Sequence, residues 1–249
     1  MVKKYKFQPL PVIKLIPNLI TFTALLIGVT AIRYALNNKW EESLACVIIA
    51  ALLDGVDGTV ARMLNVFSPF GVEIDSLCDF ANFGVVPAIL MYLWLHDDFS
   101  FQSIVWGSAL FYIGCLATRL ARFNLSTKSS NKKFKYFFIG VPAPAAGILC
   151  LTPIMIDIKI SNIFNINLKN YIIYIIFYFL IIAFLAASRI PTFSIKYIKI
   201  PQEYIWLYII TIILFLVSLL LYPWYVTPMV GVLYIISIIV SSIMLKKVN

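Results

Sequence analysis

Residues 54–79 read DGVDGTVARMLNVFSPFGVEIDSLCD and place four aspartates in an otherwise apolar chain. The spacing is D-x2-D-G-x2-A-R-x8-G-x3-D-x3-D, with two aspartates on either side of a short turn. The motif residues of the first half are spaced i, i+3, i+4 and i+7, and those of the second half follow at every fourth residue. Each half therefore forms one face of a helix. The stretch predicts a helical hairpin whose aspartates face one point: Asp54, Asp57, Asp75 and Asp79.

The rest of the chain has the composition of a membrane protein. Of its 249 residues, 62% are hydrophobic and only 12% are charged, and the mean hydropathy is +0.94. Soluble domains are usually ~25% charged. The net charge of +9 does not indicate a nucleic-acid partner, because the Lys and Arg residues lie in loops between apolar segments. The cysteines are spaced neither for zinc nor for a disulfide framework, and they are expected to be buried free thiols: Cys46, Cys78, Cys115 and Cys150.

Eight apolar segments predict an all-α integral membrane fold with about eight transmembrane helices. Most have ~20 residues, enough to cross ~30 Å of hydrocarbon. The segments are 15–36, 42–64, 71–95, 102–124, 137–157, 169–188, 203–222 and 225–245. We expect one domain, 1–249, with an interfacial N-terminal segment 1–14, a catalytic six-helix core 15–188 and two additional C-terminal helices 203–245. The first apolar segment is too long for a signal peptide, and we expect it to remain in the mature protein.

The distribution of basic residues predicts the orientation. With the N-terminus inside, the outer ends hold only four of the 20 Lys and Arg residues: Arg33, Lys39, Lys159 and Lys169. All the others fall at cytoplasmic ends, which is the bias expected of inner loops. Both termini are therefore predicted to be cytoplasmic, and the aspartate hairpin opens toward the cytoplasm.

The carboxylate cluster predicts bound cations. Four clustered negative charges repel one another, and burying even one is costly. Oxygen ligands without His or Cys favour Mg²⁺ or Mn²⁺ over zinc, and two such ions would offset the four charges. Two-metal carboxylate sites serve phosphoryl transfer, and Gly58, Ala61 and Gly71 leave room for a phosphate to approach the backbone. The alternative is that the aspartates cap helices or pair with arginines, namely Arg62, Arg119 and Arg122.

The whole pattern resembles that of the CDP-alcohol phosphotransferases, with every residue of the motif present. The resemblance implies that an alcohol attacks the phosphorus next to the lipid and that CMP is released. It implies that Asp54, Asp57 and Asp75 hold two metals, and that Asp79 ligates a metal or acts as general base on the incoming hydroxyl. It also implies that the CDP moiety is received by Gly58, Ala61, Arg62 and Gly71.

Further segments resemble one branch of that family, the membrane-integral phosphatidylserine synthases of bacteria and archaea. They are IPNLIT at 16–21, GVEIDSLCDFANFGVVPA at 71–88, RLARFN at 119–124, GVPAPAA at 140–146 and SRIPTFS at 188–194. The resemblance implies CDP-diacylglycerol as donor, L-serine as acceptor, surrounding membrane lipids and a homodimer in the cytoplasmic membrane. Asn82 departs from the branch, in which a serine is usual at that position.

Several polar residues outside the cluster are candidates for substrate contacts, each with a structural alternative. Asn18 and Thr21 either contact the nucleotide or cap the first helix. The candidates for binding the acceptor or a phosphate are Arg119, Arg122, Asn124, Asn82 and Arg189. Arginine suits a carboxylate or a phosphate, yet the positive-inside bias alone would also explain the arginines.

Two other functions stay open at this point. One is the same chemistry with another acceptor or donor: glycerol 3-phosphate, inositol phosphate, choline, or an ether-lipid CDP donor. The other is an ion-coupled transporter, because carboxylates within membrane helices are typical of ion pathways. Transporters tend to place such groups near the midplane between repeats, whereas here they fall in one cytoplasmic hairpin and no repeat is visible.

Overall fold

The computed structural model describes residues 15–64, 66, 68–96, 100–128, 137–164, 167–188, 190–193 and 205–246. In this part of the chain the helices are α1 (Ile16–Leu36), α2 (Trp40–Met63), α3 (Pro69–Asp79), α4 (Val86–Leu95), α5 (Gln102–Lys128), α6 (Ala143–Phe164), α7 (Ile172–Ala187), α8 (Ile205–Leu221) and α9 (Pro223–Lys246). A π-helical turn, Phe80–Val85, joins α3 to α4, and a 3₁₀ turn, Leu168–Tyr171, precedes α7. The predicted interfacial segment 1–14 lies outside the described residues.

Five helical stretches of the described chain are long and apolar enough to cross a membrane. They are Ile16–Leu36, Trp40–Met63, Pro69–Leu95, Gln102–Leu125 and Leu168–Ala187. Two shorter apolar helices, Ile205–Leu221 and Pro223–Ile238, come later in the chain. The prediction of a helical integral membrane protein is confirmed, at the coarser level of five candidate spans.

The core is built around the continuous helix that runs from Pro69 to Leu95. Its second half, α4, packs against α1, α5 and α6. α1 and α2 lie against each other through small residues, and Ser43 of α2 donates a hydrogen bond of 2.8 Å to the carbonyl of Ala31. The largest fully buried side chains include Phe83, Leu90, Met91, Tyr112, Leu116, Leu149, Met155, Phe179 and Ile182.

A short antiparallel ladder adds two strands to the helical fold. β1 (Phe137–Ile139) pairs with β2 (Pro191–Phe193), and Gly140 then donates its N–H to the carbonyl of Ile190 at 2.9 Å. Gly140 has φ +78, where a Cβ would lie 2.8 Å from the Ser188 carbonyl oxygen. A helix starting at 137 was therefore the wrong prediction, because this left-handed glycine and the prolines after it delay α6 to Ala143.

The ladder also gives a physical role to two segments singled out in the sequence. Residues 140–146 and 188–194 are about 50 positions apart, and their backbones meet at Gly140 and Ile190. All four cysteines are free thiols, as expected, and three of them are buried: Cys78, Cys115 and Cys150. Cys46 is only half-buried, so the expectation of burial does not hold there.

Candidate active site

The candidate site lies where α2 ends and α3 begins, beside the first turns of α1. The sequence SPFG sets the start of α3: the Ser68 hydroxyl oxygen accepts a hydrogen bond of 2.9 Å from the Gly71 N–H, and Pro69 occupies the first helical position. Serine is a favoured N-cap, and proline is tolerated there because its missing N–H would have had no helical partner. This cap fixes the direction in which α3 leaves the turn.

Three of the four aspartates converge across this hairpin. One carboxylate oxygen from each of Asp54, Asp57 and Asp75 lies within 4.8 Å of the other two. Asp57 is buried at 4% exposure. Carboxylates at this separation suit a shared hard cation, and the donor set of oxygens alone fits a divalent ion such as Mg²⁺ or Mn²⁺.

Asp79 lies one turn deeper than Asp75 along the same helix. Its carboxyl is a hydrogen-bonding neighbour of Asp54, and Arg119 of α5 is close enough to interact with it electrostatically. Its Oδ1 atom is buried and finds no hydrogen-bond partner among the described residues, and the same holds for Nε of Arg119. Asp79 thus stands between the three-aspartate cluster and a buried arginine, with hydrogen-bonding capacity left over.

The first turns of α1 complete the cluster. The Thr21 hydroxyl donates to Oδ2 of Asp57, and its oxygen also lies 3.1 Å from the Pro17 carbonyl oxygen. Capping does not explain Thr21 or Asn18, because α1 begins after Leu15 without a side-chain capping bond. Thr21 therefore orients one of the clustered carboxylates.

A cavity of about 490 Å³ opens over these groups. Its lining contains three of the four aspartates and five of the residues predicted to receive CDP, together with an apolar rim. A Cβ added to Gly58 would meet nothing within 4 Å, so the backbone of α2 is accessible from the cavity. A Cβ on Gly71 would lie 2.9 Å from Oδ1 of Asn18, so α1 and α3 approach closely there. The lining residues are Leu15, Pro17, Asn18, Thr21, Asp54, Asp57, Gly58, Ala61, Val66, Ser68, Phe70, Gly71, Val72 and Asp75.

A comparison with known proteins identifies the family. A model of the CDP-alcohol phosphatidyltransferase family matches residues 14–243. The chain belongs to this family. The match covers the cavity, the aspartate hairpin, α8 and all but the last three residues of α9. The family resemblance predicted from the sequence is therefore confirmed.

Three curated relatives within the family are named CDP-diacylglycerol–serine O-phosphatidyltransferase. The chain is similar to the one from Mycobacterium leprae, with 30% identity over 85% of this chain and 69% of that protein. It is 40% identical to the one from Helicobacter pylori strain J99, over 61% of this chain and 62% of that protein. It is 30% identical to the one from Methanocaldococcus jannaschii, over 72% of this chain and 75% of that protein. The chain thus spans between about three fifths and three quarters of the length of these relatives.

The predicted donor-binding residues are not all in one place. Arg62, a residue of the family's motif, is exposed and lies outside the cavity lining. Its Nη2 atom donates a hydrogen bond of 3.2 Å to the Thr59 hydroxyl oxygen. The other motif residues predicted to receive CDP line the cavity: Gly58, Ala61 and Gly71, with Asn18 and Thr21 beside them.

The predicted acceptor-binding residues are dispersed. Arg119 lies beside Asp79, whereas Arg122 donates from Nη1 to the Ala187 carbonyl at 2.8 Å and so caps the end of α7. Asn124 bonds to the Ser76 hydroxyl at 3.1 Å and ties α5 to α3. Asn82 is buried on the π-helical turn, where its side chain fills the space that a Cβ on Gly28 would need. Arg189 lies outside the described residues.

The sequence reasoning missed two residues near the site. The first is Ser68, whose capping role is indicated by the serine–proline pair before the glycine of the motif. The second is Tyr112, which is fully buried and donates its hydroxyl to the Phe83 carbonyl at 2.8 Å. Tyr112 lies seven residues before Arg119, which places both on one face of α5. That spacing was the available signal.

Proposed function

We propose that this protein transfers the phosphatidyl group of CDP-diacylglycerol to the hydroxyl of L-serine, giving phosphatidylserine and CMP. The observation that carries the proposal is the convergence of Asp54, Asp57 and Asp75 beneath a cavity in a membrane protein of the CDP-alcohol phosphatidyltransferase family. The names of its curated relatives support serine as the acceptor.

The cavity would receive the CDP head of the donor. Gly58, Ala61 and Gly71 present little side chain, so a pyrophosphate would reach the backbone of α2 and the start of α3. Asn18 would donate from its side-chain amide to the nucleotide. Phe70 is 68% exposed at the rim, and it would contact the lipid where the acyl chains pass between helices into the bilayer.

Asp54, Asp57 and Asp75 would hold two divalent cations, with Asp79 as a further ligand or as the base. Their all-oxygen donor set fits Mg²⁺ or Mn²⁺. When bound, such ions would neutralise negative charge on the phosphate oxygens while CMP is displaced. Thr21 would keep the Asp57 carboxylate in place by its hydrogen bond.

Asp79 would act as general base. It would take the proton from the serine hydroxyl while the serine oxygen forms a bond to the lipid-side phosphorus. The bond from that phosphorus to the CMP oxygen breaks, and CMP leaves with its electron pair. Arg119, beside Asp79, would bind the serine carboxylate, for which a guanidinium is well shaped. General-base assistance of this kind contributes ~10²–10⁴-fold.

The membrane arrangement is part of the same proposal. We infer eight spans, with α6, α8 and α9 crossing in addition to the five apolar stretches, and with both termini in the cytoplasm. The site would face the cytoplasm of the inner membrane, where serine is available. α8 and α9 would contribute to a homodimer, which their apolar, uncharged surfaces would allow.

The test is CMP release from CDP-diacylglycerol by the purified protein in detergent. We expect release with L-serine and Mg²⁺ or Mn²⁺, and none after chelation by EDTA. Glycerol 3-phosphate, inositol phosphate and choline, offered one at a time, are expected to release no CMP. Turnover with one of these and not with serine would replace the acceptor, and a protein that releases no CMP with any alcohol would refute the enzymatic function.

A further inference from the structure

A proline explains why the continuous helix opens into a π-helical turn after Asp79. In a regular helix the carbonyl of Phe83 would accept from the N–H of residue 87, four positions later. Residue 87 is proline, which has no N–H and whose ring clashes with the carbonyl four residues before it. The helix widens over Phe80–Val85 instead, and the N–H of Val86 reaches back to the Ala81 carbonyl. Such π turns are frequent at functional sites.

Tyr112 replaces the donor that Pro87 removes. Its hydroxyl donates to the Phe83 carbonyl at 2.8 Å, and the tyrosine is 0% exposed. Its ring lies against Phe179 with centroids 5.1 Å apart, and this contact helps to hold the phenol in place. A buried carbonyl without a donor is costly, and the hydroxyl of Tyr112 therefore stabilises the widened turn in one geometry.

The turn is also held by close packing from neighbouring helices. A Cβ on Gly147 of α6 would lie 3.2 Å from Cα of Phe83. The side chain of Asn82, also in the turn, fills the space beside Gly28 of α1. The turn thus has little freedom to move, and Asp79, four residues before Phe83, is attached directly to it.

We propose that Tyr112 is a positioning residue, which fixes the proline-widened turn Phe80–Val85 and thereby the placement of Asp79 against Asp54. The inference rests on the proposed function. It assigns Tyr112 no contact with substrate. It predicts an effect on the chemical step rather than on donor binding, because neither Asp79 nor any residue of the turn lines the cavity that would receive the donor.

The chain offers a matched control for removing this hydroxyl. Tyr178 of α7 also donates to a backbone carbonyl 29 residues away, that of Leu149, at 2.7 Å. That bond joins α7 to α6 and does not involve the turn. Tyr112→Phe and Tyr178→Phe each remove a hydroxyl that donates to a backbone carbonyl, so Tyr178→Phe controls for the loss of such a bond away from the turn.

The experiment measures kcat, KM for CDP-diacylglycerol and the thermal unfolding midpoint for wild type and both variants. We expect comparable decreases in the midpoint, a kcat about tenfold lower for Tyr112→Phe alone, and KM values within about twofold of wild type. Equal kcat values for the two variants would overturn the positioning role. A wild type that releases no CMP with any alcohol would instead refute the proposed function, so the two failures are distinguishable.

A second variant tests the link to Pro87. Pro87→Ala returns an N–H to the helix, so the Tyr112 hydroxyl becomes redundant. In the Pro87→Ala background, Tyr112→Phe should therefore lower kcat by less than about twofold, a non-additive result typical of contacting groups. A tenfold loss in that background would overturn the inference. If Pro87→Ala does not fold, the comparison of Tyr112→Phe with Tyr178→Phe alone tests the positioning role of Tyr112.

Discussion

The two halves of the continuous helix Pro69–Leu95 differ in how they are packed. In α3, the half that carries Asp75 and Asp79, one residue of 11 is buried, namely Cys78. In α4, the half beyond the π-helical turn, seven of ten residues are buried. The half that carries the two aspartates is open to a cavity, while the other half is enclosed by α1, α5 and α6.

This difference indicates how a membrane protein keeps charged groups in a fixed geometry. Carboxylates that must bind ions and substrate cannot themselves be tightly packed, because they need space and polar partners. Their placement therefore comes from the buried half of the same helix, transmitted through the turn that joins the halves. Changes at the open half should act on chemistry, changes at the turn on both chemistry and stability, and changes at remote positions on stability alone.

Replacing Asp79, the proposed general base, should have the largest effect. Asp79→Asn keeps the size of the side chain and removes its basicity, so kcat is expected to fall by ~10²–10⁴-fold while binding of CDP-diacylglycerol stays measurable. Asp75→Asn is the comparison, because Asp75 lies within the three-aspartate cluster. That variant should lose both turnover and metal-dependent donor binding. Both quantities are read from CMP release and from binding of labelled donor, and wild-type turnover in Asp79→Asn would refute its role as base.

The open half could be predicted from sequence, and the turn could not. Asp54, Asp57 and Asp75 converge because helical spacing places carboxylates on facing stripes, and that spacing is local information. The π-helical turn depends on Pro87, on Tyr112 far along the chain and on glycines of two other helices. Periodicity within one segment contains no signal for such a long-range fit, although Pro87 itself was visible.

The strand pair failed to be predicted for a related reason. Residues 137–139 are apolar and continue smoothly into a helical segment, so their composition favours a helix. Their partners are residues 191–193, and pairing at that distance has no local signature. Gly140 was the one local sign, because a glycine followed closely by two prolines is typical of a turn.

The turn itself should be sensitive to one added methyl group. Gly28→Ala places a Cβ into the space taken by the Asn82 side chain, and overpacking of this kind costs ~1–3 kcal/mol. We expect a lower midpoint of denaturant unfolding and reduced kcat. Asn82→Ser shortens the opposing side chain, so the double variant Gly28→Ala with Asn82→Ser should recover most of both losses.

A glycine with free space serves as the control for that change. Gly114 of α5 has nothing within 4 Å of an added Cβ, so Gly114→Ala should not destabilise the protein. If Gly28→Ala were as stable as Gly114→Ala, the close packing of α1 against the turn would have no energetic role.

Two glycines on α2 allow the cavity to be altered without altering the packing. An added Cβ meets nothing within 4 Å at either Gly58 or Gly55, but only Gly58 lines the cavity. Alanine in place of a helical glycine stabilises a helix by up to ~1 kcal/mol, so both variants should have a slightly higher unfolding midpoint than wild type. Gly58→Ala should also raise KM for CDP-diacylglycerol several-fold, whereas Gly55→Ala should leave it unchanged. Equal KM values for the two variants would contradict a donor seated against the backbone of α2.

The smallest effect is expected at the end of α2 remote from the aspartates. Lys159 of α6 and Glu41 form an ion pair with Nζ and Oε1 3.0 Å apart, and their side chains are 28% and 52% exposed. Exposed pairs contribute at most ~1 kcal/mol, and salt screens them. Glu41 precedes Asp54 by 13 residues, about 20 Å of helix, so Lys159→Met should leave kcat and KM unchanged and lower the unfolding midpoint slightly at low salt. Loss of turnover in Lys159→Met with its stability retained would mean that the remote end of α2 also sets the geometry of the aspartates, and that the buried half of the continuous helix does not do so alone.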